Sequence, residues 1–371
     1  AKAINIVKMA LPENQNDIRK MVTEEIDYLP CENIVCANEF KEQIVNEITS
    51  RSQGNFLWAS LITQQVVKCH RQDQIKRLLN TMPTGMDQLY HRMMDSVAAL
   101  ETKEDRALAQ ILLLWAAYAR MPISLEELVD LYPTAFTSVL DLHHTVNEVC
   151  GQFVVIDPQG RISLVHHSAR EYLENTQRHP FNLTSGYGHE ELLVQCLTVL
   201  SDPSLKRKLQ NLTIPRFLSY AARWWIAHLE NCPIESDRVR EMVIKFFKRT
   251  FPLSWIQYLA MSGQLSGLYA ASSALSTYAR KWKTATANGL LANHNANQDA
   301  SLLESWATDL AKLPASFYHH LSDQPEVIYT FIPSLCPTSS ILYKMFANSP
   351  FTVLATWTHG FANRYWDDCL A

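Results

Sequence analysis

Phe153-Val154-Val155-Ile156, Asp157-Pro158-Gln159-Gly160 and Arg161-Ile162-Ser163-Leu164-Val165 follow one another without a break and spell a β-hairpin. β-Branched and aromatic residues fill both runs, which favours extended backbone. Between them, proline presets the second residue of a turn and glycine supplies the positive φ that closes it. Gly151 stops the helix expected over about Val139 to Cys150. Beyond the hairpin, Ser168 and Glu171 have the spacing of a capping box and are expected to cap a helix through Tyr172 and Leu173. Upstream, Ser124-x-x-Glu127 opens a short helix ending near Tyr132-Pro133. Thr102-x-x-Asp105 resembles the same box ahead of a buried helix through Leu108, Ile111, Leu112, Trp115 and Ala119. Three helices, a hairpin wing and a closing helix make a winged-helix unit.

Working outward, the N-terminal side is helical. Apolar residues at 3.6-residue spacing predict helices over Asp17–Tyr28, Glu39–Arg51, Phe56–Val67, Gln74–Leu79 and Gly85–Val97. A short β-branched run, Ile4-Asn5-Ile6-Val7, reads as a strand before them. On the C-terminal side, His189–Leu200, Pro215–Leu229, Ser236–Lys248 and Leu253–Met261 show the same periodicity at irregular spacing. Residues 284–300, rich in asparagine, predict a polar loop, and Ser301-x-x-Glu304 a cap for the helix through Trp306 and Leu310. The expected fold class is mostly α: a helical subdomain, a winged helix, then an irregular helical array.

The 371 residues carry 33 Lys+Arg and 37 Asp+Glu, a net charge of −4, so no large basic footprint exists for nucleic acid or an anionic membrane. Only 10 glycines occur, too few for the turns and bulges of an all-β architecture. The apolar run Ala107–Ala119 is too short to span a bilayer. Eight cysteines lack any C-x-x-C pairing, which fits reduced thiols in the cytoplasm. No G-x-x-x-x-G-K-[ST], G-x-S-x-G, H-E-x-x-H or G-x-G-x-x-G is present, so no enzymatic centre is expected. The adjacent pairs His143-His144, His166-His167 and His319-His320 would point about 100° apart on a helix and hold no shared metal. The tryptophans Trp224, Trp225, Trp255, Trp282 and Trp306 fall at helical spacing among alanines and leucines, as core residues do.

Several segments, in order, resemble fungal NACHT-type STAND proteins, the NLR-like class that includes heterokaryon-incompatibility proteins. Gln53-Gly54-Asn55-Phe56-Leu57-Trp58 with Leu78-x4-Pro83-x-Gly85-x4-Tyr90 resembles the helical subdomain after the NTPase core. Pro122-Ile123-Ser124-Leu125-Glu126-Glu127-Leu128 and Leu164-Val165-His166-His167-Ser168 resemble its winged helix. Leu218-Ser219-Tyr220-Ala221-Ala222-Arg223-Trp224-Trp225-x-x-His228-Leu229 resembles the helical region that follows. Trp306-x-x-Asp309-Leu310 and the terminal Trp366-Asp367-Asp368-Cys369-Leu370 resemble a linker into a WD-repeat propeller.

The resemblance implies residues 1–30 as the tail of an NTPase core, 31–98 as helical subdomain and 99–178 as winged helix. It implies 179–283 as a superhelical domain and 284–371 as a linker to a C-terminal sensor. The implied function is regulatory: holding a closed ADP state and coupling sensing to homo-oligomerisation, with ATP/ADP or GTP/GDP and magnesium bound by the parent and no cofactor in this chain. The P-loop would lie upstream of Ala1 and the sensor after Ala371. His166 takes the place of the histidine in the family's M-H-D-like motif, implying contact with the nucleotide phosphates; Gly54 and Phe56 take the place of a segment lining the adenine pocket. His167 stands where the family has aspartate, leaving helix ordering to Ser168 and Glu171. On this view residues from about Pro350, including Trp357, Phe361 and Trp366, form a linker with no core of its own and are expected partly exposed. A helical protein-interaction scaffold without nucleotide control is the alternative. A DNA-binding winged helix is disfavoured: between Arg120 and Val165 two bases, Arg120 and Arg161, face six acids, Glu126, Glu127, Asp130, Asp141, Glu148 and Asp157.

Overall fold

The computed structural model describes residues 14–31, 36–83, 85–175, 181–289, 296–348 and 365–366. In chain order the elements begin with α1 (Asn14–Asp27), α2 (Ala37–Ser52), α3 (Phe56–Val67), α4 (Gln72–Asn80), α5 (Met86–Ala98) and α6 (Lys103–Tyr118). Then come β1 (Ile123–Ser124), α7 (Leu125–Leu131), α8 (Pro133–Phe136), α9 (Leu142–Val149), β2 (Val154–Ile156), β3 (Arg161–Leu164) and α10 (His167–Glu174). The remainder is helical: α11 (Ser185–Leu200), α12 (Leu205–Gln210), α13 (Leu218–Leu229), α14 (Asp237–Phe247), α15 (Phe251–Met261) and α16 (Gly267–Ala287). It ends with α17 (Ala296–Asp323), α18 (Val327–Thr330), α19 (Ile332–Leu335) and α20 (Ile341–Phe346). The protein is mostly α with one small sheet, as expected. The strand expected at Ile4–Val7 lies outside the described residues.

Two compact units form, one from residues 1–113, 139–157 and 162–182, the other from 114–138, 158–161 and 183–371. In the first, α1 buries Ile18, Val22 and Ile26 at four-residue spacing against Ile44 and Ile48 of α2 and Trp58, Ile62 and Val66 of α3. Asn55 caps α3, its Oδ1 accepting from the Trp58 N–H at 3.0 Å, and the Trp58 indole donates to the Pro83 carbonyl at 3.1 Å. The strands lie in the order β1-β3-β2, with β2 and β3 antiparallel in the register Val154–Leu164, Val155–Ser163 and Ile156–Ile162. Gly160 takes φ +73° in the turn. Gly151 is fixed twice over: its φ is +53°, and a Cβ there would stand 2.7 Å from the Met93 carbonyl oxygen. The Ser124–Glu127 capping box of α7 is complete, each side chain bonding the other's backbone N–H. Thr102 caps α6 through the Asp105 N–H.

In the second unit Trp225, Trp255, Trp282 and Trp306 are buried, while Trp224 is not part of that core. Trp225 and Trp255 meet edge to face with ring centroids 5.3 Å apart, and Phe246 and Phe247 close the cluster. Gly188 on α11 is needed for closeness: a Cβ would fall 2.2 Å from the Tyr118 ring. The polar loop expected over 284–300 is shorter. α16 continues to Ala287 and α17 starts at Ala296, because Ala271, Ala274 and Ala279 let the two long helices pack along their length. Ser301 and Glu304 therefore cap nothing; they lie inside α17, Ser301 bonding the Asn297 carbonyl and Glu304 the Lys283 ammonium.

Trp366 also departs from expectation. It is 6% exposed, and its indole N–H donates to Asp309 Oδ1 at 2.8 Å. Asp309 Oδ2 accepts from the Ser340 hydroxyl at 2.6 Å and the Leu342 N–H at 2.9 Å. A tryptophan expected to be stranded is thus seated by a buried carboxylate; Trp357 and Phe361 lie outside the described residues. Burial pushes the Asp309 carboxyl up, and these donors oppose it. Trp366→Phe removes one donor from a buried carboxylate and is expected to cost about 1–3 kcal/mol, read by urea unfolding.

His228, wholly buried on α13, is the centre of a second polar cluster. Its Nδ1 lies 2.9 Å from His189 Nδ1, and its Nε2 lies 2.9 Å from the Tyr220 hydroxyl, which accepts the Arg120 N–H at 3.0 Å. Each ring nitrogen of His228 thus has one hydrogen-bond partner, Tyr220 on Nε2 and His189 on Nδ1. Burial first, then His189 and Arg120, push His228 down to about 3. The unfolded chain takes up a proton near pH 6.5 that the folded one refuses, so stability falls as pH drops from 6.5 towards 3. That loss is expected to reach about 4 kcal/mol. His228→Gln should lower stability at pH 7.5 by about 1–3 kcal/mol and flatten this slope in urea titrations followed by tryptophan fluorescence.

Candidate functional site

His166 lies two residues beyond the second wing strand in extended backbone, φ −161° and ψ 153°, and α10 starts at the next residue. The N-cap of α10 is therefore His166, not Ser168. Its Nδ1 accepts the Ser168 backbone N–H at 3.3 Å and stands 2.8 Å from the Ser168 hydroxyl. The reason is the entry angle: the backbone is still extended at His166, so a free N–H of the first turn, that of Ser168, points back at the imidazole. Glu171 is exposed, and the cap of α10 is made by His166, so the expected Ser168–Glu171 box does not form.

These bonds decide the tautomer. An Nδ1 that accepts an N–H bears no proton, so the ring hydrogen of neutral His166 is on Nε2. The Ser168 hydroxyl then donates to Nδ1 and accepts from the Tyr90 hydroxyl, 2.9 Å away. Burial pushes the Tyr90 hydroxyl up, and its bond to Ser168 pulls the other way, consistent with a phenol that keeps and donates its proton. Tyr90 is held in turn between Phe153 and Tyr172, with ring centroids 5.6 and 5.5 Å away, and the Tyr172 hydroxyl lies 3.2 Å from His91 Nδ1. The stack ties α5, the hairpin and α10 into one frame. His166 is not buried, and it offers an N–H donor on a fixed ring at a helix N-terminus.

The His166 and His167 rings do not diverge as helical neighbours would. Their centroids are 4.0 Å apart, because only His167 has helical backbone. Among the described residues no cluster of three His, Cys, Asp or Glu side chains could hold a metal.

Gly54 follows α2 at φ +81° with open space around it, and Phe56, the first residue of α3, is 39% exposed. The partners of the His166 ring are Ser168 and His167, and neither Gly54 nor Phe56 is among them. A cleft of about 360 Å³ opens between α3, α9 and the hairpin, bounded by Leu61, Gln64, Lys68, Asn147, Gln152 and Val165. Phe56 and His166 lie outside its lining. Sequence reasoning misses the Tyr90–Ser168–His166 chain; the signal for it is Tyr90 itself, a polar-tipped aromatic at a core position of α5.

Replacing His166 with alanine removes the cap and is expected to cost α10 about 1 kcal/mol, whereas His166→Asn keeps an acceptor there. Amide hydrogen exchange over residues 161–175 should rise about fivefold in the first variant and stay near wild type in the second.

Parts of the sequence are similar to known proteins. Residues 91–184 match the family model described as the winged helix domain of GPI inositol-deacylase. The chain is also 28% identical over 220 residues to the vegetative incompatibility protein HET-E-1 of Podospora anserina, an alignment covering 51% of this chain and 16% of that protein. The match thus takes in about a sixth of that relative. No solved structure matches. Among the described residues no helix is long and apolar enough to cross a membrane.

Proposed function

We propose that the chain is the regulatory middle segment of a nucleotide-switched, cytoplasmic signalling receptor of the NLR-like class. It couples a downstream sensor to an upstream NTPase core and holds the ADP-bound closed state. Homo-oligomerisation follows when that state is released. The single observation that carries this reading is His166, whose bonded Nδ1 leaves Nε2–H as an outward donor at the N-terminus of α10. A neutral donor on a fixed ring beside a helix N-terminus suits a phosphate group, and it needs no charge of its own. Similarity to HET-E-1 and the winged-helix match support the assignment to the class. This segment has no catalytic role; the nucleotide and magnesium belong to the core.

The test uses the full-length protein. Both His166→Ala and His166→Asn lose the outward N–H, but only the first loses the helix cap. A hydrogen bond to a charged group contributes about 1.5–3 kcal/mol, so both variants should shift the closed–open balance roughly ten- to a hundredfold. Nucleotide content after purification and oligomeric state by light scattering are the readouts, with reduced ADP and self-association expected in both. His167→Ala should do much less. ADP-loaded monomers for both His166 variants would overturn the reading and leave a helical scaffold without nucleotide control.

A further inference from the structure

The second unit holds a cavity of about 480 Å³ that the reading above does not use. Lys206 on α12, Lys245 on α14 and Arg249 in the following turn line it together with Phe251 on α15, Tyr329 on α18 and Phe346 on α20. Three cations converge here in a chain whose net charge is −4. The acid in the lining is Asp202, and its carboxylate is already engaged. It accepts from the Lys208 ammonium at 2.7 Å and from the Ser204 N–H and hydroxyl at 2.8 Å. Burial pushes Asp202 up, but these bonds outweigh it and hold the carboxyl below its usual value. Asp202 therefore stays ionised and bound to its own lysine. Lys245 and Arg249 make no side-chain ion pair among the described residues, so their charge faces the cavity uncompensated.

The lining is also aromatic. The Tyr329 hydroxyl is fixed against Ser254 at 2.8 Å and Gln257 at 3.0 Å, and the Lys206 ammonium lies 4.1 Å from the Tyr329 ring centroid. Phe251 and Phe346 extend the apolar surface. A volume in this range holds one small molecule rather than a folded partner.

We propose that this cavity binds a small phosphate monoester carried on a planar aromatic body. Arg249 and Lys245 take the phosphate, with Lys206 completing its charge, and the ring lies against Tyr329, Phe251 and Phe346. A phosphate monoester bears about −1.5 to −2 at pH 7, which matches three cations better than a carboxylate would. The site lies within one unit and does not depend on the role given to His166.

Calorimetry on the full chain tests it with 1-naphthyl phosphate as probe, against 1-naphthylmethanol and inorganic phosphate. The expected result is saturable one-site binding of 1-naphthyl phosphate, with each comparison compound at least about tenfold weaker. Lys245→Gln and Arg249→Gln, both on exposed positions that leave the core intact, should each weaken the probe about tenfold, and about 0.5 M salt should weaken it further. No saturable heat, equal affinity for inorganic phosphate, or binding unchanged in both cation variants would each overturn the proposal.

Discussion

A lone pair on His166 Nδ1 can be spent in one direction only, and the winged helix depends on where it goes. Directed at the Ser168 N–H and hydroxyl, it starts α10, fixes the ring and sends the remaining proton outward on Nε2. Directed anywhere else, α10 would begin with an unsatisfied N–H, and Tyr90 would lose the hydroxyl that accepts its proton. The aromatic stack of Tyr90, Phe153 and Tyr172 supplies the rigidity this needs, since a mobile ring would make a poor cap and a poor donor. One short polar chain thus joins α5 to the end of the wing.

The second unit meets the same demand with buried groups. His228 is satisfied on both nitrogens by neutral partners, and Asp309 is satisfied on both oxygens by an indole, a hydroxyl and a backbone N–H. Where an atom has one partner, as Asp309 Oδ1 has Trp366, removing that partner strands a polar atom out of reach of water, which costs more than the bond itself contributes. Asp309 therefore specifies where one particular side chain, Trp366, must sit. Not every polar atom is treated so well, for the indole N–H groups of Trp225 and Trp282 and the hydroxyl of Tyr278 are buried without partners. They lie in the aromatic core, where large apolar burial offsets a few missing bonds.

Local signals are legible wherever they are also complete. The hairpin can be read from its β-branched runs and turn residues, α3 from its apolar period, and the α7 cap from Ser124 and Glu127, because each depends on residues within a few positions. The same logic misreads Ser168 and Glu171, whose spacing is correct but whose helix starts early, since the exit from β3 places His166 at the cap. It misreads Ser301 and Glu304 for a related reason: α17 begins at Ala296, as packing against α16 extends both helices beyond what polar composition suggests. Trp366 escapes it because its partner, Asp309, lies 57 positions away and no local pattern links them.

Long-range convergence also explains why the candidate sites differ in how they can be found. His166 has a recognisable neighbourhood, a strand followed by a helix, and it is the resemblance of its motif to the family's that singles it out. Lys206, Lys245 and Arg249 sit at separate places in the helical array among ordinary surface charges, and each alone looks like a solvated side chain. What distinguishes them is that α12, α14 and the α14–α15 turn bring them to one cavity while Lys208 and Ser204 hold the nearby carboxylate. A surface charge is weak because water screens it, whereas three gathered at one partly enclosed cavity reinforce one another's field. The fold, rather than any motif, makes that field, so a sequence reading that stops at motifs passes over it.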